Sequence, residues 1–434
     1  MWKLHGKQYD LSNFAKHHPG GEEIIEKTRG LEDCTALFES YHAFSDLSGI
    51  LQSLDKYEII ETHDSINQTQ DNLNTGIVQT QDNFTSYHEL IARIKPLFPD
   101  RASIKAPFSW HLWTTFSGLS CIFCIRCLLL SNSLFLKCVL AIASGVAEMS
   151  ILFNTMHDGS HYAISTNPKI NCAISKFTNG WLLWNHNMWF YHHVHLHHSY
   201  TGGQRDPDKS LYDVKSFTNN SAKIEQIANF VYVILPGQYF MQAIWYAYNA
   251  YYRKISFFSE NHLRLIREDE SPPLPQEKEQ RSGSASAAAA IPDIPYYDPL
   301  DIFVIGTKLA VLYSIGVIPT IFYIVTQNAL YYVNVMADHD LYETHENHYD
   351  GPDWAKRQIC NSGNFANDNA MWSMAFGGIN YQIEHHLFPN VSNHHYPKIA
   401  PIVRQFCADK GLPYSNQPTV VDAYRSFMKK VKSA

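Results

Sequence analysis

Residues 133–161 read SLFLKCVLAIASGVAEMSILFNTMHDGSH. The stretch 133–155 is apolar apart from Lys137 near its start and Glu148 near its end. It is long enough for the ~20 residues that a membrane-spanning helix requires. It runs directly into a histidine pair, His157 and His161. Two further histidine groups lie downstream: His192–His193–Val194–His195–Leu196–His197–His198 and Gln382–Ile383–Glu384–His385–His386. Neutral imidazole is a strong ligand for iron, zinc and copper. Clusters of it at the rim of a bilayer point to a metal centre that acts on something dissolved in the lipid.

Outward from this segment the apolar pattern repeats. Residues 108–131 form another apolar stretch, interrupted by Arg126, and the short connection to 133 predicts a hairpin of two spans. Residues 300–337 are too long for one span and carry Pro319 near their middle. Two spans at about 301–318 and 319–337, with a turn near Pro319, fit better. Residues 224–252 are apolar but rich in Tyr and Gln. A fifth span there would put the third histidine group on the opposite side from the other two, so an interfacial helix is expected instead. Residues 255–298 read as a low-complexity loop. The expectation is a mainly α membrane protein with four transmembrane helices in two hairpins and a cytosolic, histidine-rich helical cap.

Composition agrees with a few spans joined to large polar parts. The chain has 434 residues, of which 45% are hydrophobic and only 17% charged, and its mean hydropathy is −0.25. A formal net charge of −7 argues against nucleic acid as a partner. No charged, then apolar, then small pattern opens the chain, so a cleaved signal peptide is not expected. Cys121, Cys124 and Cys127 have metal-motif spacing but sit inside an apolar run, where they line one helix face as small hydrophobes. The eight cysteines suggest no disulfide framework.

Residues 1–62 are expected to fold separately. His18–Pro19–Gly20–Gly21 is followed 24 residues later by His42. The glycines permit backbone geometry that a side chain would block. Two neutral imidazoles can close both axial positions of a haem iron, giving a haem that carries electrons and does not bind oxygen. The segments Gly6–Lys–Gln–Tyr–Asp–Leu–Ser–Asn–Phe14 and Ala36–Leu–Phe–Glu–Ser–Tyr–His42 resemble cytochrome b5. The resemblance covers roughly residues 1–60 and implies an α+β haem domain with haem b held by His18 and His42. The strand that usually opens this fold has only a few residues before Gly6. In residues 63–84 the sequence Gln–Thr–Gln–Asp–Asn occurs at 68–72 and again at 79–83. So polar a tract cannot bury enough apolar surface to fold alone, and a flexible linker is expected there. Residues 85–434 make up the membrane domain.

His157 and His161 are four apart, share one helix face and can grip one ion. His193 and His197 repeat that spacing, and His198 points about 100° further round, toward a second ion. His385 and His386 likewise point in two directions, with Gln382 one turn earlier. Seven histidines and one amide are too many for one ion. Zinc takes three protein ligands in catalytic sites and four in structural ones. A carboxylate-bridged di-iron bundle needs two Glu-x-x-His motifs. Only Glu39–Ser40–Tyr41–His42 fits that pattern, and it lies in the haem unit. An all-histidine di-iron site in a membrane enzyme remains.

The whole pattern resembles the membrane fatty-acyl desaturases, in particular the front-end desaturases with a fused cytochrome b5 domain. Their boxes, H-x(3)-H, H-x(2,3)-H-H and Q-x-x-H-H, fall on His157/His161, on His193/His197/His198 and on Gln382/His385/His386. Flanking text matches as well: Tyr200–Thr–Gly, Asp206–Pro–Asp208, Gly377–Gly–Ile–Asn–Tyr–Gln382, Leu387–Phe–Pro389 and His395–Tyr–Pro–Lys–Ile–Ala–Pro401. The resemblance spans nearly the whole chain except 63–84 and 255–298. Gln382 in place of a third-box histidine is the mark of the front-end group. In the second box a register on His192, His193 or His195 is open; H-x(3)-H-H selects His193. The family implies one further ligand after the last span, often in an Asn–His pair. Here Asn334–Val–Met–Ala–Asp–His339 departs from that pattern. His339 is the first candidate and Asn334 the next, with His345 and His348 further into the loop. His395 matches a family position outside the ligands.

The resemblance implies an oxygen-dependent oxidoreductase with two non-haem irons, haem b and O2 as co-substrate. An unactivated C–H bond offers no acidic proton and no leaving group, so breaking it takes an oxidant that side chains cannot supply. Two hydrogens would leave adjacent carbons, giving a cis double bond and water. Electrons would arrive singly from the b5 haem, reloaded from NADH by cytochrome b5 reductase. The expected substrate is a polyunsaturated fatty acyl chain, linked to CoA or phospholipid. The new bond would lie on the carboxyl side of an existing one, at Δ5 or Δ4. A sphingolipid Δ8-desaturase, an acyl hydroxylase or a conjugase would share the fold. A haem-bearing membrane electron carrier is the reading outside enzymes. The implied location is the endoplasmic reticulum membrane, multi-pass, with both termini cytosolic.

Overall fold

A computed structural model describes residues 1–31, 33–60, 80–183, 186–203, 206, 208 and 299–433. The expected interfacial helix at 224–252, the loop at 255–298 and most of the expected linker lie outside the described residues.

The chain begins with two three-residue strands, β1 (Trp2–Leu4) and β2 (Lys7–Tyr9), paired antiparallel. The turn between them puts His5 at φ 50° and Gly6 at φ 77°, the conformation of a tight hairpin. Three short helices close over the strands: α1 (Glu22–Lys27), α2 (Thr35–Tyr41) and α3 (Leu47–Leu54). Trp2, Leu4, Tyr9, Leu31, Leu37 and Leu54 bury their side chains here. The same apolar cluster continues into Trp189, Phe190, Tyr191, Val194 and Leu196, so the N-terminal unit shares a core with the second histidine segment. Hydrogen bonds tie the unit to the rest of the chain: Tyr191 Oη donates to Lys27 O at 2.9 Å and Asn390 Nδ2 donates to Tyr41 O at 2.9 Å. The N-terminal unit is therefore docked.

Residues 80–84, expected as the end of the linker, are structured. Gln81–Phe84 forms a 3-10 turn closed by a Thr80/Asn83 capping box, and Phe84 is fully buried against Tyr87 and Trp354. It opens α4 (Thr85–Ile94), whose Tyr87, Leu90, Ile91 and Ile94 face inward. These side chains pack on Ile383, Leu387, Phe388, Tyr396 and Phe406, the core of the cap.

Next come α5 (Phe108–Leu130) and α6 (Leu134–Leu152), an antiparallel pair joined by a tight turn. α6 continues through a π-helical turn at Phe153–His157 into Asp158–Ser160. Among the described residues, two helices, Phe108–Leu130 and Leu134–Ser160, are long and apolar enough to cross a membrane. Phe108, Leu112, Phe116, Leu119, Ile122 and Phe123 lie exposed along α5, an apolar surface that water would not favour. α7 (Pro168–Trp181) follows. The second expected hairpin is built from α8 (Pro299–Ile315) and α9 (Val317–His339). With 17 residues, α8 falls short of the usual span length. The break between them falls at Gly316, which takes φ 90°, and not at Pro319. Pro319 sits in the first turn of α9, where its missing N–H leaves no intrahelical bond unmade. α9 packs along α6, and Gly145 makes the approach possible: a Cβ there would meet Tyr323 O at 3.0 Å. In the same contact the buried Glu148 accepts from Lys308 Nζ at 2.5 Å, and from Tyr323 and Gln327. The charge is thus paired and hydrogen-bonded, as a buried charge must be.

The cap is completed by α10 (Trp354–Cys360), α11 (Gln382–Leu387), α12 (Tyr396–Lys410) and α13 (Val420–Ser433). A short parallel pairing of β3 (Asn364–Phe365) with β4 (Asn416–Gln417) holds α11 in place. Asn364 Oδ1 accepts from Ile383 N at 2.9 Å there.

Candidate metal centre

The three histidine groups converge. His157, His161, His193 and His385 each turn one ring nitrogen toward a common point, with these atoms within 4.8 Å of one another, and all four side chains are buried. His157 Nε2 and His193 Nε2 are 3.2 Å apart. A second group brings together His197, His339 and His386 under the same limit. There His339 Nε2 lies 3.1 Å from both His197 Nε2 and His386 Nε2. Gln382 reaches this second group, its Nε2 at 2.8 Å from His339 Nε2 and 3.3 Å from His386 Nε2. His198 lies between the groups, with Nε2 3.3 Å from His193 Nε2 and its ring stacked 4.3 Å from His386.

One expectation is corrected. Four-residue spacing assigns His193 and His197 to one ion and turns His198 toward another. In the structure His193 and His198 face each other, while His197 joins the second group. The cause is local: Phe190–His197 is a π-helix. Its wider turn aligns positions five apart instead of four. π-helical turns are rare and favour functional sites, and the first box also ends one, at Phe153–His157. His385 and His386 part in two directions, as adjacent helical residues must.

Behind each ring a second partner fixes which nitrogen carries the proton. His197 Nδ1 donates to Asp206 Oδ1 at 2.9 Å, His339 Nδ1 to Asn361 O at 2.9 Å and His386 Nδ1 to Gln358 Oε1 at 2.8 Å. These partners only accept, so all three rings carry a proton on Nδ1 and turn Nε2 inward; on His339 and His386, which burial keeps neutral, that Nε2 is bare. Bare lone pairs ~3 Å apart repel unless a cation lies among them. Cis ligands at a metal–nitrogen distance of about 2.1 Å stand about 3 Å apart. In the first group His161 Nδ1 meets Tyr41 Oη at 2.8 Å and His385 Nδ1 meets Tyr396 Oη at 3.2 Å, and the Nε2 atoms of both are buried without a partner. The Gln382 Oε1 is also buried without a partner, and a half-turn of the amide would aim it at the second group. The donor set therefore fits two metal ions.

Electrostatics set His197 apart from the other rings. Burial drives the pKa of His161, His193, His198, His385 and His386 well below the ordinary imidazole value, which keeps them neutral and able to ligate. At His197 burial acts the same way, but the Asp206 and Asp208 carboxylates outweigh it and raise the ring to about 9.

Sequence reasoning passed over the roles of Tyr41, Asp206, Gln358, Asn361 and Tyr396. Asp206, Tyr41 and Tyr396 lie in segments that carry the resemblance, Asp206–Pro–Asp208, Ala36–His42 and His395–Pro401; nothing local in sequence marks Gln358 or Asn361. His192 instead pairs with Asp208, Nε2 to Oδ1 at 2.7 Å, and His195 sets its ring near Tyr200 at 6.3 Å. Asn334 is engaged elsewhere, donating to Leu330 O and accepting from Trp372 Nε1. His345 and His348 are exposed. His395 Nε2 meets Lys105 O at 2.9 Å, away from both groups.

In the N-terminal unit the rings of His18 and His42 face one another with centroids 6.1 Å apart across an apolar cavity of about 430 Å³. Two metal–nitrogen bonds of about 2 Å plus a ring radius at each end come to about 6 Å, so one iron fits between them. Each Nδ1 is taken by a backbone carbonyl, Gly21 O for His18 at 3.3 Å and Phe38 O for His42 at 2.8 Å, which leaves the Nε2 atoms for the cavity. A Cβ on Gly20 would come within 2.7 Å of the His18 ring, the reason glycine stands there. Burial, with His42 as neighbour, lowers His18 to about 4, so it stays neutral. The arrangement fits a bis-histidine haem.

Residues 133–418 match the family described as Fatty acid desaturase, and residues 2–63 match the Cytochrome b5-like Heme/Steroid binding domain. The chain is 26% identical over 449 residues to an Acyl-lipid (8-3)-desaturase of Mortierella alpina, covering 99% of this chain and 92% of that one. It is also 26% identical to a Probable Delta(5) fatty acid desaturase C of Dictyostelium discoideum, covering 99% and 90%. An sn-1 linoleoyl-lipid 6-desaturase of Synechocystis sp. is 27% identical over 65% of this chain and 76% of its own.

Proposed function

Since the chain belongs to the fatty acid desaturase family and carries a cytochrome b5-like domain at its N-terminal end, we propose that it inserts a cis Δ5 double bond into a polyunsaturated acyl chain carried on a membrane lipid. It is an oxygen-dependent oxidoreductase of that family, with front-end desaturases among its relatives. The names of the Mortierella and Dictyostelium relatives support the acyl-lipid carrier and the Δ5 position.

The observation that carries the proposal is the pair of adjacent imidazole groups with their ring nitrogens turned inward. His157, His161, His193 and His385 would hold one iron; His197, His339 and His386, with the Gln382 amide, would hold the other; His198 stands between them. When bound, the iron pair supplies the oxidising power, drawn from O2, that an unactivated C–H bond demands. The rest is done by the chain. Asp206, Asn361 and Gln358 hold the second group's rings in the ligating tautomer. The first group is shielded from water by Trp189, stacked on His193, and by Tyr396 beside His385, both buried. His18 and His42 would hold haem b, whose electrons come from NADH through cytochrome b5 reductase.

All four long helices, α5, α6, α8 and α9, would cross the bilayer of the endoplasmic reticulum. α6 ends at the first histidine box and α9 ends at His339, which supports placing both ends, the cap and both termini on the cytosolic side.

The test is expression in yeast fed a C20 fatty acid whose first double bond is at carbon 8, with products located by mass spectrometry. A new bond at carbon 5 is expected. A hydroxylated chain, a Δ8-unsaturated sphingoid base, or a purified chain with haem but no non-haem iron and no lipid product would each overturn it.

A further inference from the structure

We propose that Tyr41 is the side chain that couples the haem pocket to the metal centre, carrying the electron from one to the other through its contact with His161. This rests on the haem and iron assignments made above. Tyr41 ends α2 and is joined by one peptide bond to His42, which faces His18 across the haem cavity. Tyr41 itself lines that cavity. Its hydroxyl lies 2.8 Å from His161 Nδ1, and the two rings stack with centroids 6.4 Å apart and an angle of 30°. The other nitrogen of His161, Nε2, is buried, unpartnered and turned into the first metal group. A single imidazole therefore has the metal position on one side and Tyr41 on the other. Among the described residues, no other side chain lining the cavity hydrogen-bonds a histidine of either group.

The chain holds this contact firmly. Asn390, which also lines the cavity, donates to the backbone carbonyl of Tyr41 at 2.9 Å. The apolar cluster shared by the N-terminal unit and Trp189–Leu196 fixes the two sides against each other. With His161 ligating through Nε2, its Nδ1–H donates to the Tyr41 hydroxyl, which orients the ring as outer partners of metal-bound imidazoles do. The path then runs from the haem ligand through covalent bonds to the Tyr41 ring, across one hydrogen bond, and through one imidazole.

In each transfer one ferrous haem becomes ferric and one ferric non-haem iron becomes ferrous. No bond is made or broken, and an external one-electron donor, a flavin reductase, reloads the haem.

The experiment uses the full-length chain with its haem and iron in place. The oxidised protein is mixed without oxygen with a limiting amount of NADH and reductase, and haem absorbance is followed as the reduced haem passes its electron on. Non-haem iron per chain and the haem spectrum are measured on the same samples. Y41F, which keeps the ring and removes the hydroxyl, is expected to slow haem reoxidation ten- to a hundredfold with iron and haem retained. Tyr41→Leu is expected to be slower still. Y41F reoxidising at the wild-type rate would overturn the proposal. So would a slow Y41F whose rate returns to normal once corrected for lost iron, since Tyr41 would then only hold a ligand. If the wild-type haem itself passes no electron to the iron, the failure lies in the functional reading and not in Tyr41.

Discussion

His192 and His193 are neighbours with different occupations. His192 spends its ring on Asp208, at 2.7 Å, while His193 sits among His157, His161 and His385. His193→Ala is therefore expected to lower non-haem iron content and abolish product, with His192→Ala keeping both within about threefold; metal analysis with product assay distinguishes them. His385→Ala should likewise abolish product with the haem spectrum intact, and His18→Ala should bleach that spectrum while iron remains bound. At this scale the boxes were legible because imidazole is rare and its spacing is local. Two of the partners behind the rings were not: Asn361 and Gln358 are brought to the site by folding, and nothing next to them in sequence marks them.

Among the elements, the π-helix at Phe190–His197 decides which histidine serves which group, and an α-helical reading of the same residues reverses His197 and His198. Periodicity located the long helices to within a few residues and misplaced one break. Proline was the visible breaker, yet it is tolerated in a first helical turn. Gly316, with φ 90° and open space where a Cβ would stand, makes the turn by backbone freedom alone. Gly316→Ala is thus expected to cost about 1 kcal/mol, from strain and not from a clash, measured by thermal unfolding in detergent. In sequence Glu148 is only an interruption of an apolar run. Its pairing with Lys308 of α8 shows how the charge is tolerated.

For the whole molecule the docking of the haem unit matters most. Glu39 is fully buried and receives His5 and His88, each at 2.8 Å, so it joins the N-terminal unit to α4 beyond the linker. Burial alone would raise its pKa; the hydrogen bonds from the two histidines reverse this and hold it below the ordinary glutamate range. A carboxylate whose folded value is depressed contributes stability above its unfolded value of about 4.3, and loses it as pH falls through the folded one. The melting temperature, read from haem absorbance, should therefore keep this contribution from pH 7 down to about pH 5 and lose it as the pH falls below about 4.3. Glu39→Gln should shrink that loss, and Glu39→Ala should cost about 3 kcal/mol at pH 7.

By itself the sequence determined the mainly helical class, the histidine pair at 18 and 42 and the three histidine boxes. Each of these is written in short-range spacing: apolar runs of span length, one turn between imidazoles, two glycines beside a histidine. The tertiary structure alone decided how the imidazoles divide between two groups, which proton each ring keeps, and where the haem unit rests. Those depend on atoms far apart in the chain meeting at hydrogen-bond distance, as Tyr41 meets His161, and no local pattern encodes such a meeting.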